Sequence, residues 1–211
     1  MISAEMPMRK ETSNVSNVIK LNFVTGNKHK YEEVMEFFQR FNVKVRCKNV
    51  DIDLVEPQWD TLEEVAAFKV KNAQEQISGG LFIEDAGFFV ASLNGFPGVY
   101  SSYCHKTIGN EGMLNLLRDK QEPHERKAYF KSVIAVKFEH TDEIELFVGK
   151  VSGTVSMEMR GNNGFGYDPI FIPDENPQYT FAELSIDQKN KISHRANAIR
   201  KMAEYLREKS I

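Results

Sequence analysis

The sequence is short of several features that would have settled its class at once. Among 211 residues there are only two cysteines, Cys47 and Cys104, far apart and in no metal-ligand spacing. That excludes a disulfide scaffold or a zinc ribbon and suits free thiols in a reducing cytoplasm. No apolar run approaches the roughly 20 residues of a membrane span. Residues 1–17 lack the apolar core of a signal peptide and read as a flexible extension; the rest, residues 18–211, suits one sizeable core or two closely joined lobes. There is no basic excess: 27 Lys and Arg stand against 30 Asp and Glu, a net charge of −3. A domain that coats DNA or RNA usually carries one, so neither a nucleic acid nor a membrane is expected as a partner. No repeat or low-complexity tract is present.

What is present is a chain long enough for a sizeable core, with 41% hydrophobic residues. Ile19 to Val24 reads as a strand and ends at the turn signal Thr25-Gly26-Asn27. Tyr31, Val34, Met35 and Phe38 then share one helical face, and Val43 to Val45 resumes as strand. A second helix is expected from Thr61 to Ile77. Leu81 to Ile83 is a short run ended by Glu84 and Asp85 and broken at Gly87. Glu111 to Leu117 looks helical. Phe130 to Phe138 and Ile144 to Val155 read as an antiparallel hairpin. Gly161 to Pro177 reads as a long loop. The last helix is capped by Ser193 and carries Ile199, Met202, Ala203 and Leu206 on one stripe. The fold class is therefore α/β, a mixed twisted sheet with flanking helices.

Four places could carry chemistry. The first is Thr25-Gly26-Asn27-Lys28-His29-Lys30 at a strand-to-helix junction. Backbone N–H groups at a helix start favour anions, and the lysines add charge, so this is either a phosphate cradle or a plain turn. The second is acidic: Glu84-Asp85 at a strand end and Glu56 before the second helix. Carboxylates so placed can hold Mg²⁺ or activate a water. Lys69 lies on the apolar stripe of its helix, either snorkelling to water or aimed at a ligand. The third is Gly164 to Pro169, where Phe165 and Tyr167 could stack on a base or simply fill the core. The fourth is Lys189 to Arg195. His194 and Arg195 fall in the first turn of a helix, where cations oppose the dipole unless an anion sits there.

In order, these segments resemble the inosine triphosphate pyrophosphatase (Ham1-like) family. Thr25-Gly26-Asn27-x-x-Lys30 is followed by Glu84-Asp85-x-Gly87-Phe88 and Leu93-x-Gly95-x-Pro97-Gly98-x-Tyr100-Ser101. Next come Gly164-Phe165-Gly166-Tyr167-Asp168-Pro169, Thr180-Phe181-Ala182-Glu183 and Lys189-Asn190-x-x-Ser193-His194-Arg195. The likeness runs from Ile19 to about Leu206. It implies an elongated two-lobed fold with a central cleft, and Mg²⁺-dependent cleavage of non-standard purine triphosphates (ITP, dITP, XTP) to monophosphate and pyrophosphate. It also implies a cytoplasmic homodimer.

The resemblance assigns roles as well. Residues Thr25, Gly26, Asn27, Lys28, His29 and Lys30 would bind phosphates, and Lys69 would reach them. Glu56 and Asp85 would hold the metal, with Asp85 also the base that activates water. Ala86 would touch substrate. Phe165, Gly166, Tyr167 and Asp168 would line the base pocket, and Lys189, His194 and Arg195 would close over the base. Ser102 stands where some relatives have a lysine. The alternatives are a related Maf-like pyrophosphatase acting on other nucleotides, and a nucleotide-binding module without catalysis.

Overall fold

The computed structural model describes residues 18–209, so the expected extension, residues 1–17, lies outside the described residues. Strand β1 (Ile19–Val24) runs into helix α1 (Lys28–Arg40), then β2 (Val45–Val50), α2 (Leu62–Gln74) and β3 (Leu81–Val90). Next come the two-residue β4 (Pro97–Gly98) and two short helices, α3 (Ser101–Thr107) and α4 (Gly109–Leu116). The long hairpin β5 (Lys127–Lys137) and β6 (Ile144–Val155) follows, then β7 (Phe171–Pro173), α5 (Ile186–Ile192) and α6 (His194–Lys209).

One mixed sheet joins all seven strands in the order β2-β1-β3-β5-β6-β7, with β4 beside β3. β1 pairs in parallel with β2 and β3, and the later strands are antiparallel. The chain leaves β1 toward β2 on one side and then crosses back over β1 to β3. Right-handed crossovers in opposite directions place α1 and α2 on opposite faces of the sheet. The packing agrees: Val34, Phe37 and Phe38 of α1 join Ile199, Met202 and Leu206 of α6 on one face. Leu62, Ala66, Val70 and Ala73 of α2 meet Leu81, Ile83 and Val133 on the other. A third cluster, built around Phe88, Phe130, Phe171 and Phe181, forms the core at the far end of the hairpin. Each such fully buried side chain contributes roughly 1.5–3 kcal/mol.

Several sequence expectations need correction. The strand after α1 is Val45–Val50, later and longer than Val43 to Val45, because its backbone follows the full length of β1 in register from Ile19↔Val45 to Val24↔Val50. The second helix stops at Gln74, short of Ile77. Gly87 does not break β3, which runs unbroken to Val90. Its missing Cβ instead makes room for the carbonyl of Gly98 on β4. Gly161 to Pro177 is not one loop, since it holds a 3-10 turn (Asp168–Ile170) and β7. The capping of the last helix holds: Ser193 Oγ accepts from the Ala196 N–H.

This topology leaves a gap. β1 pairs with β3 only at Leu81 and Phe82, and β4 pairs with it only at Phe88 and Phe89. Between them, one edge of β3 from Ile83 to Gly87 has no strand beside it among the described residues. A ligand at that edge can reach side chains on both faces of the sheet. Open α/β sheets commonly bind ligands beyond the carboxyl ends of their strands, where neighbouring connections part. Among the described residues, no helix is long and apolar enough to cross a membrane.

Candidate active site

Glu84 and Asp85 lie side by side in that gap and point to opposite faces. Asp85 faces α2. Its Oδ1 accepts from Lys69 Nζ at 2.9 Å, and the same ammonium donates to Glu56 Oε1 at 2.7 Å. Lys69 therefore faces inward and is buried, and its oddity on the α2 stripe has an internal cause, two carboxylates. Burial opposes its charge, but Asp85 and Glu56 outweigh that and raise its pKa. Burial likewise pushes the Asp85 carboxyl above the usual range, against the pull of Lys69 and Lys30.

The second oxygen of this acid, Oδ2, is buried and has no hydrogen-bond partner among the described residues. Glu56 is different, with 73% of its side chain exposed. A buried acceptor with nothing to accept from is costly, and here its carboxylate shares Lys69 with an exposed one. The pair fits a hard divalent cation. No group of three or more His, Cys, Asp or Glu among the described residues could hold a metal alone. Magnesium takes one or two carboxylates and fills its sphere with water and phosphate oxygens, and that habit matches this donor set.

Glu84 faces α1 and α6, and its side chain is wholly buried. Lys30 Nζ lies 2.7 Å from Oε2 and also donates to the Glu84 carbonyl at 3.0 Å. Ser132 Oγ donates to Oε1 at 2.6 Å, and Arg195 Nε lies 3.2 Å from that oxygen. Burial works against the Glu84 charge, but Arg195 and Lys30 overcome it and hold the carboxyl well below the usual range. Arg195 Nη1 also donates to Glu33 on α1 at 2.6 Å. The cation in the first turn of α6 thus has internal anions, and no ligand is needed to offset the helix dipole there.

The Thr25–Lys30 turn is built as a cradle. Thr25 Oγ1 accepts from the Asn27 N–H, and Asn27 Oδ1 accepts from the Lys30 N–H and caps α1. The N–H groups of Lys28 and His29 have no intrahelical acceptor by helix geometry, and the first turn carries no acid. Of the three basic side chains, only that of Lys30 reaches the gap. Lys28 and His29 point outward and pair with Glu32. Gly26 lies close against the Asp51 carboxylate, which a side chain at this position would push aside. Ala86 follows Asp85 on the β3 edge.

Toward the other lobe, Phe165 is 41% exposed, with Lys189 Nζ 4.7 Å and the Arg195 guanidinium carbon 5.5 Å from its ring centre. One ring is thus presented to solvent over two cations. Tyr167, expected beside it in the base pocket, is only 3% exposed. It stacks on Phe88 and donates its hydroxyl to the Ser101 carbonyl, so it supports the loop from beneath and is not open to a base. Asp168 is buried too. Its Oδ2 accepts from Lys189 Nζ at 2.5 Å and from the Phe165 N–H at 2.8 Å, fixing the loop. Gly166 takes positive φ, and its carbonyl accepts from Asn110 Nδ2. His194 is buried with its ring stacked on Phe130, 4.8 Å between centres. Burial, then the Arg195 charge, lowers its pKa, so the ring is neutral, and Nδ1 has no partner among the described residues.

Sequence reasoning missed Glu33, Ser132 and Asn110, and it singled out Glu84 beside Asp85 without giving it a role. A signal for Glu84 existed: it alternates with Phe82, Ala86 and Phe88, so a strand through Gly87 would have put an acid on a buried face.

Comparison with known proteins finds relatives along nearly the whole chain. A family model described as the Ham1 family matches residues 21–205. A dITP/XTP pyrophosphatase of Thermococcus kodakarensis is 45% identical over 190 residues, covering 90% of this chain and 98% of its own. The dITP/XTP pyrophosphatase of Methanopyrus kandleri is 44% identical over 187 residues, covering 89% and 96%. Among solved structures, a HAM1 protein from Coxiella burnetii matches with a TM-score of 0.78 at 29% identity, covering 90% of this chain and 99% of that one. The Staphylococcus aureus Ham1 protein matches with a TM-score of 0.76 at 31% identity over the same shares.

Proposed function

The chain belongs to the Ham1 family, and from that premise we propose that it hydrolyses non-standard purine nucleoside triphosphates such as dITP, ITP and XTP. The products are the nucleoside monophosphate and pyrophosphate. Relatives at 44–45% identity over nearly their whole length are named for dITP and XTP. The single observation that carries the reading is the β3 gap. It brings a buried carboxylate with a free oxygen (Asp85), a phosphate-type turn (Thr25 to Lys30) and an aromatic ring over two cations (Phe165) to one edge.

In the proposed reaction the triphosphate lies along the Thr25–Lys30 turn with Lys69 beside it. Water attacks phosphorus, a new P–O bond forms, and the α–β bridging P–O bond breaks. The proton of the water passes to Asp85 through Oδ2, the oxygen that Lys69 does not hold, and pyrophosphate leaves. Burial raises the pKa of Asp85, which makes its carboxylate a stronger base. Glu56 and Asp85 would hold Mg²⁺, which would neutralise phosphate charge when bound. The base would stack on Phe165 with its C6 oxygen toward Arg195. Glu33 accepts from Nη1 and Glu84 lies 3.2 Å from Nε, which leaves Nη2 for the base. Adenine carries an amino donor at C6, which leaves a buried donor unpaired at a cost of about 1–3 kcal/mol.

The test is product analysis. With dITP and Mg²⁺ the protein should release dIMP and pyrophosphate, lose activity when the metal is chelated, and lose it when Asp85→Asn is introduced without change in melting. Release of dIDP and orthophosphate, or full activity in Asp85→Asn, would rule out the mechanism. A cytoplasmic homodimer is part of the same proposal. Exposed Tyr103 and Ile108, on and just after α3, support a subunit contact, and sedentation velocity reads it directly: a monomer at micromolar concentration rules the dimer out.

A further inference from the structure

The strongest unassigned feature is the ionic ring behind the gap. Lys30 and Glu33 stand three residues apart on α1 and share one face. Lys30 pairs with Glu84, Glu84 faces Arg195, and Arg195 pairs with Glu33. The ring contains two cations and two anions and sits largely out of water. It joins the helix that opens at the phosphate turn to the helix that begins at the base side. Glu84 is the only member on the sheet, next in sequence to Asp85.

One contact in the ring is incomplete. Arg195 Nε is 3.2 Å from Glu84 Oε1 yet makes no hydrogen bond to it. Lys30, by contrast, is held by both the Glu84 carboxylate and its carbonyl. Glu84 Oε2 has no hydrogen-bond partner either, so the asymmetry is one of distance, 2.7 Å to the phosphate-side cation against 3.2 Å to the base-side one, and of the extra bond from Lys30 to the carbonyl.

Building on the function proposed above, we propose that Glu84 is a positioning residue that couples purine recognition to phosphate binding. A purine with an oxygen at C6 draws the guanidinium of Arg195 into line, and Nε completes its bond to Glu84. The carboxylate, satisfied by Arg195 and Ser132, then releases Lys30 to the phosphates. A purine with an amino group at C6 leaves Arg195 as it is, and Lys30 stays on Glu84. The wrong base is thereby penalised at the phosphates as well as in its own pocket. Both requirements come from the geometry: a shared carboxylate with two oxygens, and a base-side contact longer than the phosphate-side one.

Two measurements on the full chain test this, using Glu84→Gln. The amide removes the negative charge, so Lys30 keeps only its bond to the backbone carbonyl of this residue whatever base is bound. Calorimetric titration with inorganic tripolyphosphate, which has no base, should show tighter binding by Glu84→Gln than by the unaltered protein. The ratio of kcat/KM for dITP over dATP should fall by roughly 5- to 150-fold, the usual span of coupling between two sites. A purely structural Glu84 would give weaker tripolyphosphate binding and an unchanged ratio, and that pair of results overturns the proposal. If Glu84→Gln does not melt cooperatively, Ser132→Ala takes its place. It removes only the hydroxyl that fixes Oε1, and the ratio should fall again by a smaller factor, while an unchanged ratio overturns the proposal. The tripolyphosphate titration needs no turnover. If the unaltered protein released no pyrophosphate from any nucleotide, the proposed function would fail, and the titration would still judge Glu84.

Discussion

At the scale of single residues, the site is a set of charges that the fold keeps paired. Lys69 looked odd in the sequence because a cation sat on an apolar stripe, and the structure gives it Asp85 and Glu56. Lys69→Met should therefore weaken both folding and activity. Asp85 would be left buried without its cation, at roughly 2–4 kcal/mol, while Glu56 faces water and adds little. Turnover should fall by roughly a hundredfold or more. Urea unfolding and steady-state kinetics check the two effects, and a variant of unchanged stability would show that the pair is not holding Asp85. His194 gives a pH signature. Burial keeps the ring neutral in the fold, and the unfolded chain takes a proton as pH falls through its ordinary value of 6.5. Its folded pKa is depressed, so the stability it contributes is complete above 6.5 and is lost below it. His194→Phe keeps a ring against Phe130 and should lose less stability than the unaltered protein between pH 7.5 and 5.5. Equal losses would contradict a neutral His194. Asp85 and Lys69 were legible because each broke a local pattern. The ring was not, because its links join residues 54 and 162 positions apart, and no local pattern encodes such partners.

At the scale of elements, α6 sets the base side. It lies on β6 at Gly149, where any Cβ would run into the backbone of His194 and Ala198. Gly149→Ala should lift the start of α6 from the sheet and carry Arg195 with it. Overpacking of this kind costs about 1–3 kcal/mol, or roughly 2–12 °C in melting for a chain of this size. KM for dITP should rise as well. A variant with unchanged melting would show that the contact is not tight. The strands and the main helices could be read from periodicity, since β1, β6 and the α6 stripe follow it closely. The unbroken β3 could not. A glycine in the middle of a strand pattern usually signals a break or a bulge, and only the approach of β4, which pairs at Phe88 and Phe89, shows why this one does neither. Helix α3 was missed for a related reason: its seven residues are too few to display a period.

At the scale of the whole molecule, the sheet is continuous but its neighbours are not. β1 with α1, α2 and α6 covers one end, and β4 with α3 and α4 covers the other, leaving the edge of β3 open between them. That opening places Asp85 on one face and Glu84 on the other within reach of one ligand. The order of motifs anticipated the family, and hence the fold, because the motifs are the turns and strand ends that surround this gap. The Tyr167 assignment failed because a motif gives a residue's place in the chain and not the direction of its side chain. The central claim is that the site reads the C6 group of a purine and cleaves its triphosphate. The measurement that tests it most directly is kcat/KM for pyrophosphate release from dITP and from dATP under identical Mg²⁺. The expected result is a preference for dITP of roughly a hundredfold or more. Equal values for the two nucleotides, or no pyrophosphate from either, would contradict it.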